Sequence, residues 1–235
     1  TLGGWHLKAG GRSLDPRSLR QRRAGELLGL LLISPGRRLL IDQIVDTLWP
    51  EKEFNAGQSL LHHATSTLRR ALEPDLPEKF SSRYLRVDDG SIALVLPPDS
   101  QVDYETFLSH VRRADWDAAL ACYPGEFLPE YRYADWAEAH RRWLAQDYQR
   151  ALLAKARTCM SEKQFQPALD ACRKLLAAEP WQEQAALLGM QACVELGDSA
   201  GALRLYRTLE KTLQTDLGVE PQPELQTLYR SLLNR

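Results

Sequence analysis

At 235 residues the chain is long enough for two domains, and 44% hydrophobic with 26% charged residues is the balance of a globular protein. Disordered and collagen-like classes are excluded. The longest apolar run, LLGLLLI from Leu27 to Ile33, is far below the about 18 residues of a membrane helix, and no signal-like segment follows Thr1. A soluble, cytoplasmic protein without membrane contact is expected. The net charge of −1 conceals an asymmetry: residues 1–100 hold 14 basic against 12 acidic side chains, the remainder 16 against 19. That permits an N-terminal half that meets an anion.

In chain order, GWHLKAGGRSLD alternates around Gly10-Gly11 and predicts two short strands joined by a tight turn. From Leu19 the residues Ala24, Leu27, Leu28, Leu31 and Leu32 recur at helical spacing, and Pro35-Gly36 stops that helix. A short second helix is expected from Ile41 to Trp49, with Asp42 in its first turn and Pro50 after it.

The third helix is predicted from Ala56 to Leu72, closed by Pro74. At roughly 100° per residue, Leu61, Thr65, Leu68 and Leu72 share one face, widened by Leu60, Ala64 and Ala71. Opposite lie Ser59, His63, Ser66 and Arg70, with His62 and Arg69 on one flank and Thr67 on the other. This outward face donates and accepts hydrogen bonds and carries few acids to repel phosphate. YLRV and SIALVL then flank Asp89-Gly90, a favoured hairpin dipeptide. Strands, three helices and a hairpin, in that order, describe a winged helix-turn-helix.

Pro97-Pro98 closes this unit, giving expected domains of 1–98 and 103–235. Helices are predicted at 134–158, 164–178, 182–196, 199–215 and 222–234. Thirty-four residues separate Cys159 from Cys193, Ala168 from Ala202, Cys172 from Tyr206 and Leu175 from Leu209. That is the tetratricopeptide period, and the residue sizes suit close-packed helix pairs. The fold class is therefore mainly α, a winged helix-turn-helix followed by an all-α helical repeat.

Two stretches carry a family resemblance: GEFLPEYRYADWAEAHRRWL (125–144) and DLGVEPQPELQTLYRSLL (216–233). Both resemble the bacterial transcriptional activator domain, a tetratricopeptide-like module that follows an OmpR-type winged helix in the Streptomyces antibiotic regulatory protein (SARP) family. LIDQIVDTLWP is similar to that family's second helix, and SLLHHATSTLRRAL stands in the place of its recognition helix. The resemblance implies DNA-facing positions at Ser59, His62, His63, Ser66, Thr67 and Arg70. Where the family often has Arg and His, this chain has Thr67 and Ala64. The resemblance also implies that PEKEFNAG, between the second and third helices, touches RNA polymerase.

Arg69 and Arg70 are expected to contact phosphate, and of Arg83 and Arg86 beside the wing, one is expected to face DNA while the other packs on the sheet. Arg37 and Arg38 fall in a turn, where solvation alone explains them. A metal at His62-His63 lacks further ligands, because His6, His110 and His140 make no ligand spacing and Cys122, Cys159, Cys172 and Cys193 form no CxxC. These cysteines are expected to be buried, reduced thiols. Trp136, Trp143, Tyr148 and Tyr206 are assigned to the core, ahead of a nucleotide stacked on Trp143. There is no phosphate-binding glycine loop and no catalytic triad spacing, so no enzyme and no cofactor is expected.

The leading expectation is a transcriptional activator that reads promoter DNA with helix 56–72 and the 84–96 wing. Its possible further partners are RNA polymerase, a second copy in a homodimer, and a small-molecule effector such as a nucleotide second messenger. The alternative is a protein-interaction or ligand-sensing module whose winged helix no longer binds DNA.

Overall fold

The computed structural model describes the chain except for Glu78, Lys79, Asp89, Arg235 and the side chain of Arg22. Contacts divide it into two compact units, and neither is a continuous stretch: the first is 1–106 with 123–144, the second 107–122 with 145–235. The sequence cut at residues 98–103 therefore does not coincide with the cut by contact.

The first unit opens with the hairpin β1 (Lys8–Ala9) and β2 (Arg12–Ser13). Gly10 and Gly11, at φ of 56° and 78°, turn it, a conformation that costs glycine little. α1 (Pro16–Arg20) starts on Asp15, whose carboxylate accepts from the Arg17 N–H at 2.9 Å, and Pro16 suits its first turn. The sequence predicts one helix onward from Leu19; instead a 3₁₀ turn over Gln21–Arg23 separates α1 from α2 (Ala24–Ile33). The break has a tertiary cause. Arg23 adopts a left-handed φ of 57°, uncommon for a side chain with a Cβ. Its guanidinium donates to the Leu48 carbonyl and lies 6.0 Å from the Trp49 ring.

β3 (Arg38–Leu40), unforeseen in the sequence, leads into α3 (Ile41–Leu48), and after a five-residue turn α4 runs from Phe54 to Leu72. A Cβ on Gly57 of α4 would overlap Val45 of α3, so glycine there lets the two helices approach. Ile44, Val45 and Leu48 of α3 and Leu61, Ala64 and Leu68 of α4 are buried, and the two helices pack together. β4 (Leu85–Asp88) and β5 (Ser91–Leu94) then form a hairpin, with β5 the middle strand of the antiparallel order β3-β5-β4. The expected Asp89-Gly90 turn includes Asp89, which lies outside the described residues.

Residues 123–144 complete this unit. Leu2 bridges to Phe127, the Gly3 N–H donates to the Glu126 carbonyl at 2.8 Å, and the Leu128 N–H donates to the Thr1 carbonyl at 2.9 Å. The Trp5 N–H donates to the Glu130 carboxylate at 3.0 Å, and Trp136 Nε1 donates to Glu26 at 3.5 Å. A Cβ on Gly29 of α2 would stand 2.5 Å from the Trp136 ring and 3.0 Å from Leu128, so that face of α2 must be bare. Tyr104, Phe127 and His140 pack edge to face. Burial pushes the His140 imidazole down to about 4, since its cation would lose water without gaining a partner.

α5 (Asp103–Arg112) and α7 (Asp135–Ser161) each contribute residues to both units. The second unit further contains α6 (Trp116–Ala121), α8 (Phe165–Ala178), α9 (Glu183–Glu195), α10 (Ser199–Thr212), a π-helical turn at Leu213–Leu217, and α11 (Pro223–Leu233). α8, α9, α10 and α11 pack as successive neighbours. The 34-residue correspondence is physical: Cys159, Ala168, Cys172 and Leu175 are buried, and so are Cys193, Ala202, Tyr206 and Leu209. α10 is capped by Asp198, which accepts from the Gly201 N–H at 2.7 Å, and glycine at Gly189 leaves room for Leu205 and Cys172.

Some burial expectations are corrected. Cys122 is only partly buried, unlike Cys159, Cys172 and Cys193. Tyr206 is core and Trp136 and Tyr148 are half-buried, but Trp143 is 44% exposed. Trp143 follows His140 by three positions and meets its ring at 5.4 Å, which covers one side of the indole and leaves the rest to solvent.

Candidate nucleic-acid interface

α4 presents the polar face that its periodicity predicts. Asn55, Ser59, His62, His63 and Arg70 are exposed, and Ser66 and Thr67 are half-buried beside them. The two imidazoles stand 6.1 Å apart at 76°, as neighbours about 100° apart on a helix must diverge. Together with Asn55, Gln58 and Ser59 they line an open depression of about 420 Å³. The Arg70 guanidinium donates to Ser66 at 3.2 Å, which keeps it along the helix at the C-terminal end of this face. No carboxylate occurs on α4 between Glu53 and Glu73.

The other arginines differ in what they already hold. Arg69 donates to the Pro77 carbonyl at 2.6 Å and to that of Phe80, so it braces the connection from α4 to the wing. Arg83 donates through Nε to Glu73 at 3.1 Å, yet its side chain is 81% exposed. Arg86 is also exposed and lies 3.8 Å from Asp88. Both wing arginines thus face solvent, where one was expected to pack on the sheet. Arg37 donates to Glu105 at 2.7 Å, and Arg38 sits in β3 rather than a turn, with Nε donating to Ser91 at 2.8 Å.

Glu73 is the residue that sequence reasoning missed. It ends α4, where a carboxylate opposes the helix dipole, and it is buried. Burial pushes its pKa up, but hydrogen bonds from Ser82 and from the side chain and backbone of Arg83 outweigh that and hold it below the ordinary value. Glu73 thereby ties the end of α4 to the start of the wing. The signal in the sequence was an acid at a helix C-terminus, which calls for a partner.

A helix-turn-helix with a three-stranded wing, followed by helical repeats of tetratricopeptide type, defines the SARP-type arrangement. The bacterial transcriptional activator domain matches residues 107–233, and the chain belongs to that family. Among curated relatives, it is 28% identical over 226 residues to the regulatory protein AfsR of Streptomyces griseus, covering 91% of this chain. It is 23% identical over its whole length to the transcriptional regulatory protein MoaR1 of Mycobacterium tuberculosis, of which it covers 78%. The chain spans only 22% of the length of that AfsR. Mycobacterium tuberculosis EmbR, solved with a low-affinity phosphopeptide, shares the fold with a TM-score of 0.78 at 23% identity, over 99% of this chain and 64% of EmbR. Among the described residues, no helix is long and apolar enough to cross a membrane.

Proposed function

We propose that the chain is a transcriptional regulator that binds promoter DNA with α4 in the major groove and the β4–β5 hairpin against the backbone. The observation that carries this reading is the acid-free outer face of α4, on which Ser59, His62, His63 and Arg70 are exposed. His63, Ser59, Ser66 and Thr67 would read base edges, and Arg70, Arg83 and Arg86 would position the protein through phosphates. Arg69 and Glu73 act on this interface indirectly, by holding the connection and the wing to α4. Activation would follow from recruitment of RNA polymerase through residues 50–57, the end of the α3–α4 turn and the first turn of α4, in the bacterial cytoplasm and without enzymatic chemistry.

The test is binding of the full chain to its own promoter region and to random duplex across a salt series. His63→Ala should lower the preference for promoter over random DNA. Arg70→Ala should weaken both alike and reduce the slope of log K against log salt by about 0.9, the value for one phosphate contact. Equal losses on specific and random DNA in both variants would refute the assignment. Absence of salt-steep binding by the folded chain would favour the protein-interaction reading, which draws on the engagement of Arg69 and Arg83 in bonds within the chain.

A further inference from the structure

In the second unit, α10, the π-helical turn and α11 border a groove of about 610 Å³ that the DNA-binding proposal does not use. Its volume is in the range of small-ligand sites. Tyr206 and Tyr229 stack within it, with ring centroids 4.1 Å apart and planes within 12° of parallel. Tyr206 is buried, but Tyr229 is only half-buried and keeps aromatic surface on the groove.

The charges around this stack are unevenly satisfied. Arg207, Lys211 and Arg230 line the groove, and none of them forms a direct ion pair among the described residues. Arg207 donates to the Tyr229 hydroxyl at 3.5 Å, and Arg230 donates to the Gln226 side-chain oxygen at 3.3 Å. Of the groove's two carboxylates, Glu220 accepts from the Gln226 amide at 3.5 Å, and Glu210 lies close enough to the Tyr206 hydroxyl to help burial raise its pKa. Three cations therefore retain most of their donors, and against the two carboxylates they leave the groove a net charge of +1.

We propose that this groove binds a nucleotide, with phosphate oxygens on Arg207, Lys211 and Arg230 and the base stacked on Tyr229. The guanidinium groups offer forked donors to phosphate, and Lys211 adds a compact charge. A flat base extends the existing ring stack, as bases do on aromatic platforms. The side chains of Gln214 and Thr215, also on the groove, supply neutral donors and acceptors for a base edge. A simple phosphate would use the cations and leave this aromatic and amide surface idle. The proposal is independent of DNA recognition, since it rests on different residues in the other unit.

The experiment is calorimetric titration of the full chain with ATP, GTP, cyclic AMP, cyclic di-GMP, pyrophosphate and a hexaglutamate peptide. At least one nucleotide is expected to bind at a single site and more tightly than pyrophosphate. Arg207→Ala and Lys211→Ala, both at exposed positions, should each weaken it about tenfold, the usual size for loss of one charged hydrogen bond. Lys174→Ala, on α8 outside the groove, should leave affinity unchanged. Tyr229→Leu should abolish the preference for nucleotide over pyrophosphate; should that variant misfold, the two exposed cation variants still decide. The proposal is overturned if no nucleotide titrates, if affinity ignores Arg207→Ala and Lys211→Ala, or if hexaglutamate binds more tightly than every nucleotide.

Discussion

In the first unit Glu26 accepts a hydrogen bond from Trp136, 110 residues further along the chain, and a bare glycine on α2 receives that same indole. In the second unit the buried partners come from neighbouring helices, and Cys172 and Tyr206 hold matching places one repeat apart. One interior is assembled from distant segments with individual shapes; the other repeats a local solution. The first should consequently be damaged at single, unrepeated contacts, while the second spreads its stability over equivalent ones.

The sharpest way to break this comparison is Phe127→Ala. Phe127 is fully buried against Tyr104 and His140 and bridges to Leu2, so truncation should cost about 3–5 kcal/mol. Amide exchange should report the loss in α2 and the sheet. Loss confined to α8–α11 would show that residues 123–144 serve the repeats instead.

A smaller effect separates the glycines. Gly29→Ala must displace Trp136 or Leu128 and should destabilise by about 1–3 kcal/mol. Gly189→Ala meets Leu205 at 3.2 Å and Cys172 at 3.4 Å, a milder crowding that is offset by the roughly 1 kcal/mol that alanine gains over glycine in a helix. Urea titration of both variants, with comparable losses for the two, would remove the contrast.

A further expected effect depends on pH. His140 has a folded pKa of about 4, depressed by burial, against an unfolded value of about 6.5. Below 6.5 the unfolded chain binds the proton first, so this contribution to stability is full above that pH and is lost as pH falls towards 4. His140→Phe should flatten the decline in urea midpoint between pH 6.5 and 4.5 relative to the parent. An unchanged decline would mean that His140 is not the group responsible.

These contrasts also explain what could be read in advance. The repeat helices were legible to within about three residues at each end, because period and small-residue spacing are local properties that survive without a partner. The outer face of α4 was legible for the same reason. The division of α1 from α2 was not, since Arg23 takes its conformation from Leu48 and Trp49 on another element. Nor was the destination of Arg69, which depends on carbonyls in the connection beyond α4, or the burial of Glu73, which depends on Ser82 and Arg83. β3 has three residues and is defined by its pairing with β5, so no periodicity announces it.

The sharing of α7 bears on how such proteins can be recombined. Its residues 135–144 belong with the first unit and 145–161 with the repeats. A chimera joined at the proline pair near residue 98 would take residues 1–98 without the strip that covers α2, and would set that α2 against the recipient's counterparts of Leu128 and Trp136. A graft that transfers a complete interior must carry residues 123–144 along with 1–106 and leave 107–122 with the repeats, so it needs splices inside α5 and α7 and one at residue 122. The workable seams for exchanging the first unit therefore lie largely within helices, not at the apparent linker.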